Sequence, residues 1–219
     1  MAIDVFRIIG ASTRAISSRE IDGQLARVLV ASRVYDTDQA DLWDAMTSIE
    51  RIPRWFLPVS GDLRLGGHYQ FEGNAGGEII ACEPPEHFKV TWGMHGQFSW
   101  VSITLTEQAP GRTLLRLEHI AHVPDDMWHE YGPGAVGVGW DSGLLGLTLY
   151  LAGSGEVTPE TATEWLAGEE GQAFIRQSSA AWADAAIADG TDPDQAHAAA
   201  ANTDRKSTRL NSSHRCISY

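Results

Sequence analysis

Two stretches of the chain decide its fold: VYDTDQADLWDAMTSIERIPRWFLP at residues 34–58 and GVGWDSGLLGLTLYLA at residues 137–152. The first runs from the end of an apolar strand into a short amphipathic helix and then into an aromatic segment bounded by prolines. The second has the apolar spacing of a helix, with Trp140 and Leu144 on the same stripe. A short helix and a long helix therefore bracket the middle of the chain.

The residues between these stretches alternate between apolar and polar side chains, as the strands of a one-sided antiparallel sheet do. Tyr69 and Phe71 share one face of a predicted strand, and Phe88 and Trp92 share one face of another. The strand that begins near residue 98 has an ambiguous phase. Trp100 and the alternating apolar set that follows it cannot all face inward without a bulge.

Signals on either side extend this architecture. Asp22-Gly23 is a strong two-residue turn signal and predicts a hairpin over residues 12–35. A further short strand is predicted over residues 62–65. Thr158-Pro159 is a typical helix start, and more helical segments follow it. Strands first, with a long helix packed across one face of their sheet, make an α+β architecture.

The order of Trp55-Phe56 before the strands and Gly139-Trp140 in the long helix resembles the SRPBCC (START-like, birch-pollen-allergen-like) superfamily. Within it, the chain is similar to the C-terminal domain of heat-shock protein 90 ATPase activators. The resemblance implies a helix-grip fold, in which a curved antiparallel β-sheet wraps around a long C-terminal helix and leaves a cavity between them. The expected organisation is an N-terminal segment with the first hairpin strand at 1–24, the helix-grip domain at 25–152, a helical extension at 153–204 and a tail at 205–219.

The tail differs in composition from the rest of the chain. Residues 205–219 read RKSTRLNSSHRCISY, which is basic and Ser-rich, whereas the sequence before them is acidic and Ala-rich. The string resembles translated sequencing-adapter DNA, so we expect it to be non-native. The chain has two cysteines, Cys82 and Cys216, and a disulfide framework is therefore not expected.

Charge and hydropathy limit the classes of partner that are expected. The net charge of −13 argues against nucleic acid, which requires clustered Lys and Arg, and it disfavours anionic membrane surfaces. The first apolar stretch, Val5 to Ile9, is too short for a signal peptide, and the run from Gly143 to Ala152 is too short to span a membrane. We therefore expect a cytoplasmic protein without nucleic-acid or membrane partners.

Aromatic residues are the best candidates for lining a ligand cavity, because small-molecule pockets have apolar walls and few polar groups. Alternation turns the aromatic residues of the strands toward the helix, and the resemblance places Trp55 and Phe56 at the mouth of the cavity. The predicted ligand-cavity set is Trp55, Phe56, Tyr69, Phe71, Phe88, Trp92, His119, Trp140 and Leu144. Ordinary core packing is the alternative interpretation of each of these residues taken singly.

His119 is the one candidate for a catalytic residue. It has the parity of Leu117 and is predicted to face inward, where a neutral imidazole can orient a ligand or move a proton. A satisfied core histidine is the alternative. His119 and His122 are predicted to face opposite ways on one strand, and neither HExxH nor CxxC occurs. No metal and no cofactor is therefore expected.

One glycine motif invites a nucleotide interpretation. Residues 132–137 read GPGAVG and match GxGxxG by letter. No buried strand precedes them, and no parallel strand with a terminal acid follows the helix. The motif is interpreted as a flexible hinge before the long helix.

Three functions fit these observations. The first is binding of a small apolar or aromatic molecule in the cavity, without chemistry. The second is a cyclase or dehydratase type of enzyme that uses the same cavity, with His119 moving protons and Tyr69 as its hydrogen-bond partner. The third is a co-chaperone or regulatory module whose acidic surface binds an unidentified protein partner. Shape does not decide among them in this superfamily.

Overall fold

The computed structural model describes residues 4–94, 96–155 and 157–212 of the 219 in the sequence. The described residues form eight strands and seven α-helices. The strands are β1 (Ser12–Ile21), β2 (Gln24–Tyr35), β3 (Val59–Gly61), β4 (His68–Phe71), β5 (Gly76–Glu83), β6 (His87–Met94), β7 (Gln97–Ala109) and β8 (Arg112–Ala121). The helices are α1 (Val5–Gly10), α2 (Gln39–Thr47), α3 (Asp125–Tyr131), α4 (Gly134–Leu151), α5 (Pro159–Ala167), α6 (Glu169–Ala188) and α7 (Pro193–Ser212).

The strands form one sheet in the order β1-β2-β8-β7-β6-β5-β4-β3, with antiparallel pairing along the run from β8 to β3. This confirms the predicted α+β class. The predicted first hairpin is also present. Asp22 and Gly23 form its turn with φ of 53° and 74°, which a two-residue turn of the favoured type requires.

The strand predicted over residues 62–65 is wrong. The chain turns there instead, because the amide of Arg64 donates to the carbonyl of Asp62 at 2.9 Å and the amide of Gly67 donates to that of Arg64 at 2.8 Å. Gly66 supplies a φ of 76°. The edge strand β3 lies just before this turn, and its register pairs Gly61 with Tyr69.

The register of β7 removes the ambiguity in its phase. Val101 lies opposite Val90 on one side and opposite His119 on the other, whereas Trp100 lies opposite Thr91 and Ile120. Val101 and Trp100 therefore face opposite sides of the sheet, and no bulge is needed between them. The irregularity in this pairing occurs later, between Glu107 and Ala109.

The chain packs as two compact units, which are described separately. Unit 1 consists of the residues up to 31, residues 122–145 and the residues from 159 onward, and unit 2 consists of residues 32–121 and 146–158. In unit 2 the apolar positions of β7 and β8 are buried, and helix α2 packs against both strands. Its core includes Leu42, Ala45, Val90, Val101, Ile103, Leu105, Leu115, Leu117 and Leu147.

Helix α6 organises unit 1. It packs against α1, β1, α5 and α7, and its Phe174 and Trp182 are fully or almost fully buried. An Ala-rich layer continues this core between α6 and α7, formed by Ala183, Ala186 and Ala196. The small side chains of this layer allow the two helices to approach closely.

A charged cluster lies inside unit 1. The Nε of Arg14 donates to Oδ2 of Asp141 at 3.1 Å, and the side chains of both residues are at most 5% exposed. The hydroxyl of Ser178 and, at 3.1 Å, the indole N–H of Trp182 donate to the same oxygen. The Nη1 of Arg14 donates to the carbonyls of Ile9 and Ser12, each at 3.1 Å. One carboxylate thus joins strand β1 to helices α4 and α6.

The hinge predicted at residues 132–137 is wrong, because its last four residues form the first turn of α4. A Cβ on Gly137 would overlap the indole of Trp182, and a Cβ on Gly134 would press on Thr203. Both glycines are buried and leave room for neighbouring helices of unit 1. Close packing accounts for these two glycines better than flexibility does. Only Gly132, at a φ of 58°, needs glycine's conformational freedom.

The end of the chain falls partly outside the described residues. Residues 205–212 of the predicted tail form the last turns of α7, and residues 213–219, with Cys216, lie outside the described part. The ammonium of Lys206 lies 4.3 Å from the ring centroid of Tyr131. The non-native origin of this segment stays a prediction.

Candidate functional site

A row of aromatic rings lies on one face of the sheet in unit 2. The ring of Phe56 meets that of Phe71 edge to face at 5.1 Å, Phe71 lies 5.7 Å from Trp92, and Trp92 lies 6.5 Å from the imidazole of His119. Tyr69 adds contacts to Phe71 at 5.4 Å and to Trp92 at 6.4 Å. These five residues are called the aromatic row below. Such spacings are typical of favourable aromatic pairs.

Strand register places the row on a single face. Phe88, Val90 and Trp92 alternate along β6 and lie opposite Ile103, Val101 and Ser99 of β7, respectively. Val101 in turn lies opposite His119 of β8. Paired residues of an antiparallel ladder point to the same side of the sheet. Trp92, Ser99 and His119 therefore share one face, as the alternation of the sequence predicted for Trp92 and His119.

A glycine makes room for two of the rings. Gly77 of β5 lies opposite Tyr69 of β4, and a Cβ at this position would overlap the carbonyl of Thr91 in β6. The hydroxyl of Tyr69 donates to that same carbonyl at 2.8 Å. A side chain at residue 77 would displace this contact. The glycine thus lets Tyr69 reach across β5 toward β6, with its ring beside that of Trp92.

His119 is buried and hydrogen-bonded within the sheet. Its Nε2 lies 2.8 Å from the hydroxyl oxygen of Ser99, and burial lowers the pKa of His119 to about 4. The ring is therefore neutral at pH 7. Tyr69 was the predicted hydrogen-bond partner of His119, but its hydroxyl donates to Thr91. Burial also raises the pKa of Tyr69, which keeps the phenol protonated.

The members of the aromatic row differ in their exposure to solvent. Tyr69 and His119 are buried, whereas Phe56, Phe71 and Trp92 are only half-buried. The half-buried rings contact one another directly, so they form a continuous aromatic surface that retains access to other molecules. An apolar surface that remains accessible is the type of feature that marks ligand grooves.

Four other residues of the predicted cavity set lie elsewhere. Trp55 is buried beside Phe56, and its indole N–H donates to the carbonyl of Ala45 at 2.9 Å. Phe88 has the same parity as Trp92, but its ring meets Trp43 of α2 at 5.8 Å. Trp140 and Leu144 belong to unit 1, where Trp140 is half-buried and Leu144 is buried. The ligand-binding role of the whole set stays a prediction.

Sequence reasoning missed Ser99. Its hydroxyl donates to the carbonyl of Trp92 at 3.0 Å and lies within hydrogen-bond distance of His119. The available signal was the alternation of β7, since Ser99 has the parity of Val101. That signal was unusable as long as the phase of the strand was ambiguous. Register across three strands was needed to bring Ser99 and His119 together.

Within residues 4–94, 96–155 and 157–212, no group of three or more His, Cys, Asp and Glu side chains could hold a metal ion. Over the same ranges the helices fall short of the length and hydropathy that a membrane crossing needs.

Comparisons with known proteins identify the family. Residues 36–152 match the family described as activator of Hsp90 ATPase homolog 1-like protein. The solution structure of CalU16 from Micromonospora echinospora is 33% identical, with a TM-score of 0.67, over 83% of this chain and 97% of that one. Its crystal structure is 32% identical, with a TM-score of 0.58, over 77% of this chain and 98% of that one. No curated protein matches the sequence.

A more distant structure agrees in fold alone. Protein MLL2253 from Mesorhizobium loti is 23% identical over 60% of this chain and all (100%) of that one, with a TM-score of 0.51. The family match covers more than half of the chain, and the similarity to CalU16 covers nearly all of that protein. The chain therefore belongs to the family of activator of Hsp90 ATPase homolog 1-like proteins, within the SRPBCC superfamily.

Proposed function

We propose that the protein binds a small apolar or aromatic molecule on the aromatic row of unit 2. The observation that carries this proposal is the chain of ring contacts from Phe56 through Phe71 and Trp92 to His119. Three of these four rings are half-buried, so they are packed against one another and still accessible to a further ring. Family membership supports a ligand-binding fold and leaves the ligand open.

Binding without turnover fits the row better than proton transfer does. With a pKa of about 4, His119 is a weak base at neutral pH, whereas an efficient general base has a pKa near the working pH. Its Nε2 is engaged with Ser99, and the hydroxyl of Tyr69 is engaged with Thr91. The cyclase or dehydratase alternative therefore has less support than simple binding.

The first experiment is native mass spectrometry of the full chain, purified without detergent or organic solvent. An extra mass that is lost on denaturation would reveal a copurified ligand and, by its formula, the class of that ligand. The second experiment is a calorimetric titration with 2-naphthol, a planar aromatic probe of about the size of an indole.

The hairpin of β6 and β7 offers a matched pair of variants for the titration. Trp92 belongs to the row, and Trp100 is half-buried on the opposite face of the sheet. We expect Trp92→Leu to weaken binding of 2-naphthol about tenfold, because one ring pair contributes about 0.5–1.5 kcal/mol beyond its buried area. Trp100→Leu should leave the affinity unchanged. Equal weakening by both variants, or no binding to the native chain, would reject the row as the site.

A further inference from the structure

The hydrogen-bond geometry around Ser99 determines where the protons of the aromatic row lie. The hydroxyl of Ser99 is 3.0 Å from the carbonyl of Trp92, and a carbonyl oxygen only accepts, so the hydroxyl proton points to Trp92. The oxygen of Ser99 must then accept the proton carried by Nε2 of His119, at 2.8 Å. Both protons of this pair are therefore committed within the sheet. Neither can donate to an anionic group of a ligand without breaking an existing hydrogen bond.

The charged residues next to the row in β5, β6 and β8 point away from it. Lys89 precedes Val90 in β6, Glu118 precedes His119 in β8, and Glu78 precedes Ile79 in β5, so each of them points to the opposite side of the sheet. Arg116 has the same parity as Glu118, and its guanidinium donates to that carboxylate at 2.9 Å.

The charged groups of the neighbouring segment in unit 2 are paired with one another. The guanidinium of Arg51 contacts the carboxylates of Asp41 at 2.8 Å and Asp44 at 2.9 Å, and its Nε donates to the hydroxyl of Tyr150 at 3.0 Å. Arg54 stacks over the same tyrosine ring at 5.3 Å. Arg51 and the two carboxylates are therefore engaged with one another, and Arg54 contacts the tyrosine ring.

We infer that the aromatic row selects neutral planar molecules and discriminates against carboxylates of the same shape. This inference rests on the proposed function and adds the charge class of the ligand. A carboxylate placed on the row would lose part of its hydration, and the protons of Ser99 and His119 are already engaged with other acceptors, so such a transfer is unfavourable. The low pKa of His119 agrees with this, since the ring remains uncharged at pH 7.

The test compares two probes of one shape on the native full-length chain at pH 7: 2-naphthol and 2-naphthoate. We expect 2-naphthol to bind at least about tenfold more tightly than 2-naphthoate. Binding of 2-naphthoate as tightly as 2-naphthol would overturn the charge selectivity and leave the proposed binding site intact. Failure of both probes to bind would reject the proposed function and the inference with it.

A matched pair of serine variants tests the mechanism of selection. Ser99→Ala removes the acceptor of the Nε2 proton and leaves that proton available to a ligand, so the preference for 2-naphthol over 2-naphthoate should shrink several-fold. Ser102 is the control, because it makes a similar bond of 2.9 Å to Nε2 of His87 on the opposite face of β7. Ser102→Ala should leave the preference unchanged. An unchanged preference in Ser99→Ala would overturn the role of the pair.

The tautomer of His119 can be measured on the native chain, so this test does not depend on the folding of a variant. The nitrogen shifts of the imidazole distinguish its tautomers, so a long-range ¹H–¹⁵N spectrum at pH 7 reports the protonated nitrogen of His119. The expected pattern is a neutral ring protonated at Nε2. A ring protonated at Nδ1, or at both nitrogens, would contradict the proton positions on which the selection depends.

Discussion

A polar cluster is buried in each compact unit, and the two clusters differ in charge. In unit 1 the carboxylate of Asp141 stays among a guanidinium, a hydroxyl and an indole N–H, contributed by Arg14, Ser178 and Trp182. In unit 2 the imidazole of His119 bonds to the single hydroxyl of Ser99 and is neutral. In the first cluster burial raises the pKa of Asp141, and the guanidinium and the other donors oppose that rise, whereas the second cluster has no charge to compensate.

The Asp141 cluster connects elements of the fold, whereas the His119 pair lies beside the proposed binding surface. A buried charge pair requires donors from several elements in fixed positions, and the cluster of Asp141 accordingly connects β1, α4 and α6. A neutral pair needs no such enclosure, and His119 sits beside half-buried rings that can contact another molecule. Breaking the first cluster should therefore strongly destabilise the protein. Changing the second should mainly alter pH dependence and binding.

The largest effect is expected from Asp141→Ala. It leaves the guanidinium of Arg14 buried without its counter-ion, and removing one partner of a buried pair costs about 3–5 kcal/mol. Urea unfolding followed by tryptophan fluorescence measures this loss. Asp62→Ala is the control, because the pair of Asp62 with Arg64 is exposed and should contribute less than about 1 kcal/mol. Similar losses in both variants would remove the distinction between the clusters.

The second effect is a pH dependence that comes from His119. Its pKa falls from 6.5 in the unfolded chain to about 4 in the fold, so the unfolded state binds more protons between these values. Stability should therefore fall as the pH is lowered from 6.5 toward 4, by roughly 3 kcal/mol from this group. Unfolding free energies of the native chain and His119→Gln, measured across that window, isolate the contribution.

His68→Gln is the control for the pH experiment, since His68 is exposed on β4. It should leave the slope of stability against pH as in the native chain, whereas His119→Gln should flatten it. Parallel slopes for the native chain and His119→Gln would show that the pKa of His119 is not lowered by folding. That result would also remove one support of the proposed charge selectivity.

A smaller effect is expected from alanine at two glycines of α4. A Cβ on Gly137 would overlap the indole of Trp182, and overpacking of this kind costs about 1–3 kcal/mol. A Cβ on Gly139 would meet nothing within 4 Å, so alanine there should stabilise the helix by up to about 1 kcal/mol. Thermal unfolding should shift in opposite directions for the two variants. Stabilisation by Gly137→Ala would contradict close packing of Trp182 on α4.

The smallest effect is expected from Asp41→Ala. The carboxylate of Asp41 is about half exposed, and Arg51 retains Asp44 and the hydroxyl of Tyr150 as partners. The loss should be at most about 1 kcal/mol and should shrink further in high salt. Urea unfolding with and without added NaCl measures both quantities. A loss as large as that of Asp141→Ala would show that exposure does not separate the ion pairs of this protein.

Local signals determined much of the fold. The Asp22-Gly23 turn, the cap and proline at Thr158-Pro159, and the apolar spacing of the long helix depend on residues that are near one another in the chain, so they could be interpreted without the tertiary structure. The alternation of Tyr69 with Phe71, and of Phe88 with Trp92, placed rings on strand faces for the same reason. Period and turn chemistry are properties of short segments.

Only the tertiary structure decided which of these residues meet. Ser99 joins His119 because two strand registers align them. Alternation along β7 separates Ser99 from Ser102, but it does not identify His119 as the partner of Ser99. The ring of Phe88 contacts Trp43 and not the aromatic row. Gly134 and Gly137 allow close packing of neighbouring side chains, where the sequence motif suggested a hinge. The sequence by itself determined most of the longer elements and the apolar faces of several of them. The partners of each face depend on contacts between residues far apart in the chain, and such contacts leave no periodic trace in the sequence.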